Sequence, residues 1–80
     1  PNLAYFHTDW ENDISGLRDG NFKYIYRATE NREELYDLAA DPDEKHDLIT
    51  KRFDIAAKLR SEALKARQTQ RDWYMKYRGR

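Results

Sequence analysis

Glu34-Leu35-Tyr36-Asp37-Leu38-Ala39-Ala40-Asp41-Pro42-Asp43-Glu44-Lys45-His46-Asp47-Leu48 decides how the rest of the chain is read. Leu35, Tyr36 and Leu38 form an apolar run of strand length. Asp41-Pro42 then stops any regular element, because the residue before a proline is pushed out of the α region. Asp41, Pro42 and Glu44 next spell a helix start: a cap acceptor, proline at the first position, and Glu at the third. Leu48 follows as an anchor. The segment reads as strand, corner, helical turn and anchor, joining short strands before it to one long helix after it.

Working outward toward the N-terminus, Leu3-Ala4-Tyr5-Phe6-His7-Thr8 is rich in strand formers and predicts a first strand. Residues 9–13 read as a loop. Ile14–Arg18 and Asn21–Arg27 flank Asp19-Gly20, a hairpin signal for a type I′ turn. That turn pairs Arg18 with Asn21 and Leu17 with Phe22. Leu17, Phe22, Tyr24 and Tyr26 then share one face, and Ile14, Lys23 and Ile25 share the other. Both faces carry apolar side chains, and one helix can cover only one of them. Thr29–Ala40 is full of helix formers, and Asn31 with Glu34 imitates a capping box. Propensity alone reads helix there; an isolated hairpin is marginal in water and needs more strands, and the strand expected at 34–38 is what a family resemblance of this segment implies.

Toward the C-terminus, Phe53, Ala56, Leu59, Ala63 and Ala66 recur at spacings of three and four, with Ile49 one turn earlier. A helix over 50–78 is expected, about 40 Å long at 1.5 Å per residue. It would outrun strands of ~20 Å and leave Trp73, Tyr74 and Tyr77 beyond them. The fold class is therefore α+β: a small antiparallel sheet of about four strands packed by one long C-terminal helix. Residues 1–38 supply the strands, 41–48 the corner and 50–78 the helix, in a single domain of 80 residues.

Charge is divided along the chain. Residues 1–50 hold 5 Lys/Arg against 12 Asp/Glu, and residues 51–80 hold 10 against 3, so −7 meets +7. We favour internal complementarity, a basic helix beside an acidic sheet, over a helix for nucleic acid or anionic lipid, because a dedicated binder usually carries net positive charge. The absence of cysteine excludes disulfides and thiolate metal sites. No apolar run in this stretch approaches the ~20 residues of a spanning helix.

Residues that could carry chemistry each have an ordinary reading. His7 and His46 lack a ligand-spaced partner, so packed or solvated histidines are preferred to a base or metal ligands. Asp41, Asp43, Glu44 and Asp47 lack the glycine and spacing of an EF-hand loop and are explained as a cap and solvated turn. Ser15 and Ser61 have no nucleophile-elbow context. Phe22, Lys23, Tyr24 and Tyr26 could stack nucleic-acid bases, but their alternation favours a sheet core. Arg67, Arg71, Lys76, Arg78 and Arg80, with Trp73, Tyr74 and Tyr77, could meet a membrane surface, but a helix end packing on another domain is preferred. No catalytic, cofactor-binding or metal residue is nominated.

The order Leu17-Arg18-Asp19-Gly20-Asn21-Phe22-Lys23-Tyr24-Ile25, then Glu34-Leu35-Tyr36-Asp37-Leu38, then Asp41-Pro42-Asp43-Glu44 and Asp47-Leu48, resembles the C-terminal subdomain of the sulfatases, in the alkaline phosphatase superfamily. Tyr5-Phe6-His7-Thr8-Asp9-Trp10 and Gln70-Arg71-Asp72-Trp73-Tyr74 resemble the membrane-anchored, lipoteichoic-acid-synthase-like branch. The resemblance implies a fragment of a sulfate-ester hydrolase or a related phosphotransferase. The nucleophile and a divalent metal (calcium, magnesium or manganese) would belong to the parent's N-terminal domain, and no position here inherits them. It further implies a bacterial parent, extracytoplasmic or membrane-anchored. The subdomain would dock on its own catalytic domain, with residues 9–13 nominated to border the substrate cleft. Isolated, the chain is expected to self-associate through the uncovered sheet face or the aromatic helix end. The rival reading is a small interaction module using its basic aromatic helix on nucleic acid or anionic membrane; a membrane role otherwise belongs to the parent.

Overall fold

The computed structural model describes the backbone of residues 3–9 and 13–78, and the side chains of residues 3–7 and 13–69. Four strands precede one helix: β1 (Leu3–Asp9), β2 (Ile14–Asp19), β3 (Phe22–Arg27), β4 (Arg32–Asp37) and α1 (Phe53–Arg78). The strands pair antiparallel in sequence order. The α+β architecture expected from the sequence is the architecture observed.

The β2–β3 register differs from the expected one. Asp19 pairs with Phe22, Arg18 with Lys23 and Leu17 with Tyr24, so the turn is centred on Gly20-Asn21. Gly20 has φ 60, whereas Asn21 does not share a positive φ. That is the φ signature of a type II′ turn, which needs glycine at its first central position only. Leu17 moves from Phe22 to Tyr24, a shift of two, so every side chain keeps its face. The face assignments therefore hold although the pairing does not. At the β3–β4 connection Asn31 takes φ 50 and closes the loop with its N–H on the Ala28 carbonyl (3.1 Å). It does not cap a helix; β4 begins one residue later, two residues before the expected Glu34.

The helix side of the sheet holds the core. Leu17, Tyr24 and Leu35 pack with Ala56, Leu59 and Ala63, flanked by Tyr5, Phe22, Tyr26, Leu48, Ile49 and Ile55. Phe53, expected in this stripe, is 72 % exposed. The neighbouring Arg52, itself exposed, has its guanidinium 5.7 Å from the centre of the Phe22 ring. The helix begins at Phe53 rather than at Thr50 because residues 48–52 form a turn: Lys51 and Arg52 both donate their N–H to the Leu48 carbonyl. At 26 residues the helix is about 39 Å long, against strands of 6 or 7 residues. The expected excess of helix over sheet is present; Trp73, Tyr74 and Tyr77 lie outside the described side chains.

The sheet face away from α1 is closed by its own residues. Ile25 and Tyr36 are buried there. Gly16 lets the Phe6 ring lie against the sheet: a Cβ at Gly16 would fall 2.3 Å from Phe6 Cζ and 2.4 Å from the Tyr24 carbonyl oxygen. Glu34, also buried, accepts hydrogen bonds from the Tyr36 hydroxyl (2.5 Å) and Arg27 Nε (2.5 Å). Among the described residues, the large apolar side chains that stay exposed are Leu3, Phe53 and Leu64, none of them on this face. The reason expected for self-association through that face is thus absent from the described residues.

Residues 41–48 form one turn rather than a helical turn. Glu44 donates its N–H to the Asp41 carbonyl (3.1 Å) and sits at φ 54, which ends the turn at once. Asp41 still caps: its carboxylate accepts the N–H groups of Lys45 (3.0 Å) and His46 (2.9 Å). Glu44 turns away from the cap and pairs with Lys23 Nζ (3.1 Å). Leu48 is the anchor expected. Its N–H donates to the Leu35 carbonyl (2.7 Å), and Asp47 Oδ1 accepts the N–H of Leu35 (2.9 Å) and of Ile49 (2.9 Å).

Candidate functional site

A concave surface lies between α1 and the end of the sheet where β2 begins and β3 ends. It is a groove of about 540 Å³ with Ser15, Tyr24 and Ala63 at its base and Tyr26, Arg60 and Arg67 among its walls. Two arginines seven residues apart on α1 reach the sheet here, as the 3.6-residue period requires. Arg60 grips Glu33 with both Nε and Nη2, the second at 2.9 Å from Oε1. The Tyr24 hydroxyl donates to the same carboxylate (2.6 Å). Arg67 donates to Asp13 Oδ2 and lies 5.9 Å from the centre of the Tyr26 ring. Asp13 Oδ1 accepts from His7 Nε2 (2.9 Å). Lys58 adds a third helix-to-sheet pair, 3.3 Å from Asp19.

Electrostatics follow from these bonds. The Arg60 hydrogen bond, helped by Tyr24, outweighs burial and holds the Glu33 carboxyl below the ordinary glutamate value. Burial opposes the charge on Asp13, but the bonds from His7 and Arg67 prevail and lower it. Burial and the adjacent Glu33 push the Tyr24 hydroxyl well up. The Arg60 and Arg67 guanidiniums therefore favour the ionised form of the two carboxylates. Such groups are poor general bases, since a proton taken up would break the bonds that hold them.

Ser15 lines the groove, and a histidine and an aspartate lie near it in the fold. His7 and Ser15 are cross-strand partners, and Asp13 binds His7. The Asp13 carboxylate that binds His7 also binds Arg67.

The remaining sequence candidates are dispersed. His46 is exposed on the corner, and Ser61 is exposed on α1. Of the corner carboxylates, Asp41 and Asp47 accept backbone N–H groups, Glu44 pairs with Lys23, and Asp43 is exposed. Phe22, Tyr24 and Tyr26 lie under α1, as the core reading expects. Lys23 lies on the other face beside Glu44, 5.9 Å from the centre of the Phe6 ring. Among the described residues no group of three or more His, Cys, Asp or Glu side chains is placed to hold a metal. Residues 10–12 of the nominated 9–13 loop, and the side chains of Arg71, Lys76, Arg78 and Arg80, lie outside the described residues.

Glu33 and Arg60 were not singled out by sequence reasoning, and Asp13 was named only as part of the 9–13 loop. Their one signal was the division of charge between the two parts of the chain, which says that partners exist and not which they are. Comparison with protein families and with curated proteins finds no match to this chain.

Proposed function

We propose that this chain is a non-catalytic, structural C-terminal subdomain of a sulfatase-like sulfate- or phosphate-ester hydrolase or transferase, and that it docks on the catalytic domain of its own parent chain. The observation that carries this reading is the order of the three resembling motifs along a fold of four antiparallel strands and one C-terminal helix. The helix supports it too. Lys58 and Arg60 are engaged by sheet carboxylates and Arg67 by Asp13 just before β2, so much of the described positive charge on α1 is already neutralised within the molecule. That weighs against a helix built to bind nucleic acid or anionic lipid. The metal and nucleophile belong to the parent's catalytic domain, and the parent is extracytoplasmic or membrane-anchored. The face away from α1 offers charged contacts: Lys23 pairs with Glu44, and Arg27 and Arg32 pair with Glu34.

The reading frame upstream of Pro1 tests the proposal directly. A long α/β domain with a nucleophile motif supports it, and a start codon a few residues away overturns it. An assay of the 80-residue chain on sulfate and phosphate esters, with calcium, magnesium or manganese added, is the second arm. No turnover is expected; metal-dependent turnover that survives repurification removes the non-catalytic assignment.

A further inference from the structure

The four strands carry their positive charge on one face. Arg18, Lys23, Arg27 and Arg32 are the lysines and arginines of β1–β4. Strand alternation puts all of them on the side away from α1, with Phe6, Ile25 and Tyr36. Arg18 and Lys23 oppose each other directly across β2 and β3. Arg27 and Arg32 do the same across β3 and β4. Like charges directly opposite destabilise a sheet. Each pair is met by a single bonded carboxylate: Glu44 takes Lys23 Nζ at 3.1 Å, and Glu34 takes Arg27 Nε at 2.5 Å. Arg18 and Arg32 are left over, and both are exposed. Arg18 gives one N–H to the Gly20 carbonyl and has no carboxylate partner among the described residues. Arg32 lies 3.8 Å from Glu34 and 4.0 Å from Glu30, beyond hydrogen-bond distance of either. The Glu34 oxygens already accept from Arg27 and Tyr36.

We propose that this face docks an acidic protein surface, one that brings carboxylates to Arg18 and to Arg32. The identity of the partner chain rests on the reading above, in which it is the parent's catalytic domain; the chemistry rests on the face alone. Charge complementarity fixes the sign. Each like-charged pair is one anion short, and a carboxylate laid over it would turn repulsion into a bridge between two strands. Arginine suits that role, because its planar fork binds a carboxylate through two parallel N–H groups. The spacing favours a protein. Lys23 and Arg27 are four residues apart on β3, so the two pairs are roughly 13 Å apart. A folded surface can hold two carboxylates at that separation. Nucleic acid and anionic lipid gain by neutralising many charges at once, and here only Arg18 and Arg32 are in surplus. Ile25 and Tyr36 are buried, so the face offers no apolar side chain of theirs to insert into lipid. The size suits a partner domain as well. Strands about 4.8 Å apart and ~20 Å long give a four-stranded face of about 400 Å², or about 800 Å² counted on both partners, within the range for contacts between domains of one chain.

Titration of a fluorescein-labelled polyglutamate peptide with the 80-residue chain, followed by anisotropy, tests the proposal. Backbone and arginine Nε chemical shifts of the chain show which face is touched. Saturable binding is expected, weaker as salt rises, with the largest shifts at Arg18, Lys23, Arg27 and Arg32. The double variant R18Q/R32Q removes the two surplus charges and should weaken binding about fivefold or more. K51Q/K65Q removes two exposed charges elsewhere and should leave binding unchanged. An oligothymidylate and phosphatidylglycerol vesicles are titrated alongside, and tighter binding of either than of polyglutamate overturns the proposal. So does the absence of saturable polyglutamate binding to millimolar concentration, a set of shifts confined to α1, or equal weakening by both variants. If R18Q/R32Q fails to fold, the shift map of the unaltered chain decides. The reading frame upstream of Pro1 bears on the parent alone: it can remove the parent reading without touching this result, and a failed titration overturns the acidic partner even where a catalytic domain lies upstream.

Discussion

Leu35 and Leu48 are joined through their backbones. Leu48 N–H donates to the Leu35 carbonyl at 2.7 Å, while the Asp47 carboxylate takes the Leu35 N–H at 2.9 Å. Leu35 is wholly buried, and it lies on an edge strand whose outward groups would otherwise face the corner unpaired. A segment with no regular structure thus completes the β4 edge and carries the chain from sheet to helix.

Asp47→Ala removes an acceptor shared by two N–H groups, those of Leu35 and Ile49. The Leu35 N–H would be left without a partner beside the core. The expected loss is about 1–3 kcal/mol, the cost of a buried donor left unsatisfied. Urea denaturation measures it. Asp43→Ala, an exposed carboxylate on the same corner, should stay within about 0.5 kcal/mol; equal losses in the two variants would remove the special role of Asp47.

Gly16 and Gly20 are required for different reasons, and their alanine variants should separate them. Gly20 has φ 60 with open space around it, so a side chain there costs backbone strain alone, about 1–2 kcal/mol. A β-branched residue is worse, and Gly20→Val should lose more than Gly20→Ala. Gly16 faces the Phe6 ring and the Tyr24 carbonyl at under 3 Å, and a strand carbonyl cannot move aside. Gly16→Ala should therefore destabilise more than Gly20→Ala, and the order of denaturation midpoints checks it.

Much of the fold was legible because its signals are local. The alternation at 22–26 put Phe22, Tyr24 and Tyr26 on one face, and a pairing shift of two left that true. The turn was misplaced by one residue because Asp-Gly and Gly-Asn both suit a two-residue turn, under type I′ and type II′ geometry respectively. Phe53 was misassigned because periodicity cannot say where the neighbouring strand stops. The groove was hardly legible at all: Arg67 and Asp13 are 54 residues apart, and Arg60 and Glu33 are 27 apart. Which arginine meets which carboxylate depends on the helix crossing the sheet at one angle, and no local pattern encodes that.

Leu59 and Leu64 are a matched pair for testing the helix face. Leu59 is fully buried against the sheet, and Leu64 is 57 % exposed at the groove rim. Leu59→Ala should cost about 2–5 kcal/mol, enough to unfold a domain of ordinary marginal stability. Leu64→Ala should change the thermal midpoint little. Similar losses at both positions would mean that α1 meets the sheet along a different stripe.

The last prediction concerns acid. Glu33 is held below the ordinary glutamate value of 4.5, chiefly by Arg60. Burial raises Glu34, but the bonds from Tyr36 and Arg27 outweigh it and leave that group lowered too. A carboxyl depressed in the folded state contributes stability that is present above its unfolded value and lost as pH falls through its folded value. The denaturation midpoint should therefore be level from neutral pH down to about 5 and fall below it. Arg60→Met removes the largest cause of the Glu33 shift. That variant should be less stable at neutral pH, and its stability should fall less steeply on acidification. The gap between the two proteins should narrow as pH drops, because protonated Glu33 no longer gains from the guanidinium. Urea denaturation at pH values from 7 to 2 is the measurement. A gap that stays constant over this range would show that Arg60 stabilises through its packed stem and not through the charge on Glu33.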